Sequence, residues 1–421
     1  MKPESEYHKS LTADHEKPDP VYSSTGRRII PIWPIWLVTR VFLSLLALFC
    51  SFDLPSSPLE KKVAVWPPSA PPGEWLTRVF LEPWNRWDVE HFLKIATRGY
   101  SVNDGTLSFH PLHPALGKIV GAIFGGHPLL GLFLVSNISC LLFLFCYERL
   151  TRLDLTGEEA RRATYYFTLL PAAFVLFAPY TEPLFLLLGA SSLLMARRGK
   201  WLMAGLAGGM AALTRQQGII LLLPLAWEFW EWSERNPKKL LANWRGAARL
   251  LLAPLGLLTW LLYRAFTLSD VVIELRRPGQ LIYGLFISQS VTHMVPQQSF
   301  MPPWNALWIA LNIPSHANKI DLCSGAVYLL ILAFGGRKLW RMRPSYFLYS
   351  LAIILISFSY STGSPESYMG LPRHCLLAFP LAMPLATWGR NHAAHLLFTT
   401  IGLIWLFAMT YFYVDHVLWV P

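Results

Sequence analysis

The sequence predicts an all-α, polytopic membrane protein with about eleven transmembrane segments. Three observations carry that prediction. Of the 421 residues, 53% are hydrophobic and 14% charged, where a soluble domain carries about 25% charged residues. Apolar runs recur along the chain, and the basic clusters between them all fall on one side of an alternating path. Aromatic residues are abundant, with 18 Trp, 25 Phe and 16 Tyr, which suits interfacial belts and a cavity lined for sugar or lipid.

Residues 1–30 are polar and basic and are expected to form a flexible cytoplasmic tail, with residues 31–421 as one integral-membrane domain. Ile32–Phe52 is the first span, and Arg27-Arg28 before it places the N-terminus inside. A long outer loop, about residues 53–111, opens Pro/Ser-rich and then carries an amphipathic helix around Asp88. Leu112–Phe124 is apolar but short and holds Lys118, so it reads as an interfacial or re-entrant segment. Leu129–Tyr147 comes in to a basic loop ending at Arg161-Arg162; Ala163–Tyr180 goes out, and Leu184–Ala196 returns to Arg197-Arg198-Gly199-Lys200. Trp201–Leu213 and Ile219–Trp230 form a short pair whose polar joint, Thr214-Arg215-Gln216-Gln217-Gly218, is expected to be recessed into a cavity. After the basic loop 231–249, Leu250–Phe266 leads to a second outer region at about 268–318, which carries Arg276-Arg277. Lys319–Gly336, Tyr346–Tyr360, Pro372–Trp388 and His395–Tyr411 complete the crossings, with Arg337-Lys338 and Arg341 to Arg343 inside.

Several function classes fall away. The formal charge of +11 reads as basic loops facing anionic lipid, since no basic patch interleaves with exposed aromatics as nucleic-acid binding requires. The five cysteines show neither CxxC nor metal-ligand spacing, so neither a disulfide framework nor zinc is expected. No Walker or dinucleotide motif is present, and Gly205, Gly208 and Gly209 suit close helix packing better than a phosphate loop.

The most informative stretch runs from Trp84 to Ile95. Read as one helix, it puts Trp84, Trp87, Asp88, His91, Phe92 and Ile95 on a single stripe, with Arg86, Glu90, Lys94 and Arg98 on the other side. An acid and an imidazole therefore lie on the face meant for burial, where an ionised group needs a partner or a function.

Six motifs in order resemble the PIG-V family, mannosyltransferases that add the second mannose to glycosylphosphatidylinositol, together with its prokaryotic relatives. They are Arg86-Trp87-Asp88 with His91-Phe92; Phe109-His110-Pro111-Leu112-His113-Pro114; Ser136-Asn137; Ala178-Pro179-Tyr180-Thr181-Glu182-Pro183-Leu184-Phe185; Ala211 through Gly218; and Leu371-Pro372-Arg373-His374-Cys375 continuing to Pro380. The family pattern has an aromatic where His110 and His113 stand, a serine at Pro183 and a tyrosine at His374. The resemblance implies a GT-C-like helical scaffold with an extracytoplasmic or lumenal site and a polyprenyl-phosphate sugar, mannose first among candidates, as donor. A glycan, lipid or protein would be the acceptor, and a companion membrane subunit is compatible with it.

Glycosyl transfer needs a base for the acceptor hydroxyl and cations for the leaving phosphate. Asp88 is the expected base; the alternative is a surface ion pair with Arg86 or Lys94, against which their opposite placement speaks. His91, one turn on, could bond that carboxylate, a phosphate or a sugar hydroxyl. Glu182 could orient the acceptor, pair with an arginine or simply favour a helix start. Arg215 and Arg373 stand at outer ends of apolar segments, where either could hold the lipid phosphate or pair with Asp88 or Glu182. His110, His113, Tyr180, Gln216 and His374 complete the substrate-binding candidates. No acid completes a metal set with His110 and His113 at helical spacing, and the chemistry needs no soluble cofactor, although a divalent cation could assist. The rival readings are transfer of another lipid-linked sugar and transport of lipid-linked sugars.

Overall fold

The computed structural model describes residues 31–53, 80–101, 104–264, 266, 299–362, 367–368 and 370–415. The tail 1–30, most of the first outer loop's Pro/Ser-rich opening and Arg276-Arg277 lie outside the described residues.

The described chain is helical, apart from a two-residue antiparallel ladder between β1 (Ser299–Phe300) and β2 (Tyr360–Ser361). Five segments are long and apolar enough to cross a membrane: Ile32–Cys50, Pro128–Thr151, Trp244–Tyr263, His316–Met342 and His392–Val414. Leu112–Ile123, Trp201–Thr214 and Pro344–Ser359 are shorter apolar helices.

In chain order, α1 is Ile32–Asp53, α2 Asp88–Arg98, α3 Leu112–Ile123, α4 Pro128–Thr151, α5 Gly157–Phe167, α6 Glu182–Arg197 and α7 Trp201–Thr214. There follow α8 Leu222–Trp232, α9 Pro237–Ala242, α10 Trp244–Leu250, α11 Leu252–Tyr263 and α12 Pro303–Leu311. The last elements are α13 His316–Met342, α14 Pro344–Ser359, α15 Leu371–Leu376, α16 Ala382–Trp388 and α17 His392–Asp415. Helices α3, α4, α6, α7 and α11 pack in succession, each chiefly against the next, while α13 pairs with α14 and α1 with α17. Helices α7 and α11 approach closely: a Cβ on Gly256 would stand 2.2 Å from the Gly209 carbonyl oxygen. That is the close backbone packing expected of the glycines in α7.

Two segments expected as spans are not continuous helices. Ala163–Tyr180 is helical only to Phe167; Pro171 offers no N–H, Ala172 takes φ 64°, and a 3₁₀ turn follows at Ala173–Leu176. Pro372–Trp388 is divided into α15, a 3₁₀ turn at Phe379–Leu381 and α16, with Pro380 and Pro384 interrupting it. Both segments are almost wholly buried, so their carbonyls need partners inside the protein. Side chains of the surrounding helices supply them. Tyr328 donates to the Pro171 carbonyl (2.6 Å), Tyr147 to Phe379 (2.9 Å) and Tyr349 to Leu377 (3.1 Å). Arg40 and Asn137 donate to the Phe177 carbonyl, and Ser136 to that of Tyr180 (2.7 Å). Irregular backbone is thereby fixed at the centre of a helical body, and these two segments present Glu182 and Arg373.

The opposite end is tied by buried ion pairs. Arg197, at the end of α6, makes two bonds to Asp154 (2.8 and 3.1 Å), while Glu228 accepts both nitrogens of the Arg343 fork and the Ser345 hydroxyl. An α6 of 16 residues separates this network from Glu182 by about 24 Å.

Candidate active site

Helix α2 begins at Asp88, one residue after Trp87, which takes φ 55°. That is left-handed backbone rarely adopted by a bulky residue. The kink separates Trp84, which lies in a 3₁₀ turn, from the helix proper. The stripe expected from a continuous helix is therefore rephased: Val89, Phe92, Leu93 and Ala96 are the buried positions, with Ile95, while Trp87, Asp88 and His91 are half-buried at the edge. On the far side Glu90 pairs with Lys94 at 2.5 Å, and Arg98 with Asp104. Asp88 pairs with neither Arg86 nor Lys94; its Oδ2 accepts from Nη1 of Arg373 at 2.5 Å.

Glu182 opens α6 as Asp88 opens α2, each where the helix dipole favours an acid. Its carboxylate is fully buried and stands between two guanidinium groups. Arg215 Nη1 donates to Oε1 at 2.7 Å, and Arg373 Nε lies 3.2 Å from the same oxygen. Arg215 also donates to the Thr181 hydroxyl at 2.8 Å, and that hydroxyl reaches Glu182 Oε2 at 3.2 Å. The joint that presents Arg215 folds back tightly on α7: a Cβ on Gly218 would stand 2.3 Å from Ala212 backbone atoms. Arg373 lies over the Tyr180 ring, 5.0 Å from its centroid.

Asp88, Arg373, Glu182 and Arg215 thus form one alternating chain of charge drawn from four separate segments. Both internal pairings weighed from the sequence are present, Arg373 with Asp88 and Arg215 with Glu182. Accessibility separates the roles available to the acids. Asp88 keeps 20% of its side-chain surface exposed, whereas Glu182 keeps 0%, Arg373 7% and Arg215 11%. Arg215 Nε is buried without a hydrogen-bond partner, leaving donor capacity that the internal pairs do not use.

The histidines separate. His91 stacks on Phe109 at 4.9 Å, with burial lowering its pKa and Asp88 partly opposing that shift. His110 is buried near Trp260, and burial, reinforced by Arg264 and Arg215, lowers its pKa to about 3. His113 bonds the Ser136 hydroxyl at 2.9 Å through Nε2. His374 stacks on Tyr360 and meets Gln217 at 3.2 Å through Nδ1. Among the described residues no three His, Cys, Asp or Glu side chains gather as metal ligands, and the carboxylates of the cluster already face guanidinium groups.

Gln216 is exposed and does not join the cluster; its neighbour Gln217 is the buried amide. The motif pointed to the joint but not to which glutamine turns inward, because the 3₁₀ turn at Gln216–Leu221 sets that phase. Thr181 was likewise inside a quoted motif without being singled out.

Residues 29–228 match the family model described as Mannosyltransferase (PIG-V). GPI alpha-1,6-mannosyltransferase 2 of Rattus norvegicus is 34% identical over 170 residues, covering 37% of this chain and 34% of that protein. The protein of that name from Mus musculus is 33% identical over 172 residues, with the same 37% and 34% coverage. The chain spans about a third of the length of the curated relatives it matches. Among solved structures, the Archaeoglobus fulgidus oligosaccharyltransferase complex with Zn and sulfate aligns with 90% of this chain and 52% of its own, at 15% identity and TM-score 0.43. ArnT from Cupriavidus metallidurans bound to undecaprenyl phosphate aligns with 84% of this chain and 62% of its own, at 16% identity and TM-score 0.45. Residues 29–228, the stretch that matches the PIG-V mannosyltransferase model, carry Asp88, Glu182 and Arg215, and Arg373 joins their cluster from beyond the matched region.

Proposed function

We propose that the chain is a membrane glycosyltransferase that moves mannose from a polyprenyl-phosphate carrier to an extracytoplasmic acceptor hydroxyl, inverting the anomeric centre. The observation that carries this reading is the four-membered charge chain, with its most accessible carboxylate at Asp88 and an unpartnered Nε on Arg215. The PIG-V match supports mannose as the sugar.

As it stands the cluster is neutral, two carboxylates against two guanidinium groups, and Arg373 restrains Asp88. An Asp88 oxygen engaged by the guanidinium is not available to an acceptor hydroxyl. The donor's phosphodiester brings its own negative charge and competes for Arg373. As the guanidinium turns to phosphate, Asp88 is released beside the acceptor. The acceptor hydroxyl gives its proton to Asp88 while its oxygen attacks the anomeric carbon from the face opposite the phosphate. The bond from that carbon to the phosphate oxygen breaks, and its electron pair leaves on the phosphate. The lipid phosphate gains a charge at that moment, so fixed guanidinium groups bind the transition state better than the donor. Glu182, shut off from solvent, holds both arginines in place.

Purified protein given a mannose-bearing polyprenyl phosphate and a panel of acceptor glycans tests the reading, with product configuration assigned by nuclear magnetic resonance. Asp88→Asn is expected to lower transfer by about 10²–10⁴-fold with normal membrane insertion. Full activity in that variant would remove Asp88 as the base, and vesicle transport of glycolipid without a new glycosidic bond would replace transfer altogether.

A further inference from the structure

The far end of the molecule holds a second feature that the transfer chemistry does not use. Between the end of α8 and the start of α10 is a cavity of about 360 Å³, walled by Trp201, Trp232, Trp244, Asn243, Arg245 and Arg249. Trp201 begins α7, the helix whose other end leads to Arg215. Its 14 residues put the cavity about 21 Å from the charge cluster.

The wall chemistry is specific. No acid lines the cavity, and neither Arg245 nor Arg249 has a carboxylate within ion-pair distance among the described residues. The nearby acids are engaged elsewhere: Glu231 with Arg235, Glu234 with Lys239, and Glu228 with Arg343. Arg245 lies beside the Trp244 ring, 5.8 Å from its centroid. Trp201 is 5% exposed, and its indole N–H is buried without an acceptor. Around the mouth Leu241, Trp244 and Leu251 are exposed by 69%, 61% and 51%. Trp244 also opens the apolar segment Trp244–Tyr263, so the arginines stand at the first turns of a span, where headgroups lie.

We propose that this cavity is a binding site for the phosphate headgroup of an anionic glycerophospholipid. Arg245 and Arg249 supply the charge, and Trp244 with Leu241 and Leu251 lie along the acyl chains. Two unpaired cations and no acid favour an anionic headgroup over a zwitterionic one, and the apolar rim favours a lipid over a soluble anion. The site is independent of the transfer reaction, so its failure leaves that reading standing.

Native mass spectrometry of the full chain in mild detergent, titrated with phosphatidylglycerol or phosphatidylcholine, tests it. Phosphatidylglycerol is expected to bind at least about tenfold more tightly. The Arg245→Gln/Arg249→Gln double variant should lose about 30-fold of that affinity, about fivefold per arginine, with thermal unfolding unchanged because both side chains are exposed. Arg235→Gln/Lys238→Gln removes the same charge outside the cavity and should have a much smaller effect. Equal binding of the two lipids, equal losses in the two double variants, or displacement by millimolar inorganic phosphate would each overturn the proposal.

Discussion

Replacing Glu182 with glutamine isolates what the buried acid does. The change keeps shape and leaves an amide oxygen to accept from Arg215, with an NH2 facing the Thr181 hydroxyl in place of the second oxygen, but it takes a charge from a cluster that is formally neutral. Asp88 is then the only carboxylate facing two guanidinium groups. Removing one partner of a buried ion pair costs about 3–5 kcal/mol. With the Arg215 bond retained and Asp88 still in place, the lower end, about 3 kcal/mol, is the expected loss. The kinetic signature is more telling. A cluster of net charge +1 grips the donor phosphate harder, so KM for the donor falls. It also grips Asp88 harder and keeps its oxygen from the acceptor, so kcat falls by about 10²-fold, the lower end for loss of general-base action. Thermal unfolding in detergent and initial rates over a donor titration measure both effects. A variant with raised KM and intact kcat would refute the reasoning, because Glu182 would then be touching donor or acceptor rather than setting charge. Unchanged melting would deny the ion pairs themselves.

Other outcomes follow from the same geometry. Arg373→Lys keeps the charge but loses the fork spanning Asp88 and Glu182; KM for the donor should rise by about tenfold or more, as loss of a charged hydrogen bond implies. Gln217→Ala removes the amide meeting His374 and should lower stability by about 1 kcal/mol, whereas exposed Gln216→Ala should stay within about 0.5 kcal/mol; denaturant titration separates them. His110 has a folded pKa of about 3 against an ordinary 6.5, so between those values the unfolded chain binds a proton that the fold refuses. Its contribution is intact above pH 6.5 and declines on acidification, by about 2 kcal/mol from pH 7 to pH 5. His110→Phe should flatten that part of the stability-against-pH curve by the same amount, read from melting temperatures across the range.

The helical class and most element positions could be read from hydropathy, because a long apolar run has few alternatives to a buried helix. The site was partly legible: Asp88, Glu182, Arg215 and Arg373 were each conspicuous as ionisable residues at the margins of apolar segments. Their pairing was not, since Asp88 and Arg373 are 285 positions apart and spacing along the chain says nothing at that range. The phase of α2 was misread for a local reason. Trp87 in left-handed backbone is a conformation its side chain disfavours, so periodicity carried the helix straight through it. Pro171, Pro380 and Pro384 lie at the breaks, but unbroken hydropathy masked them; donors on other helices, tyrosine hydroxyls among them, make broken backbone tolerable there.

Those breaks bear on why the site can be reset. In a straight span, the start of α6 and the position of Arg373 would be fixed by helical rise alone. Here each charged side chain sits at a helix start or a joint: Asp88 and Glu182 at first turns, Arg215 between α7 and a 3₁₀ turn, Arg373 in a six-residue helix. The backbone of the broken segments is pinned by hydroxyl and guanidinium donors from outside the cluster, so its course does not rest on the Asp88–Arg373 contact. Arg373 can therefore exchange Asp88 for a phosphate oxygen while the scaffold stays as it is. The energetic difference between the two arrangements is then a trade of one anion for another at the same guanidinium, which is small enough for donor binding to drive and for product departure to reverse.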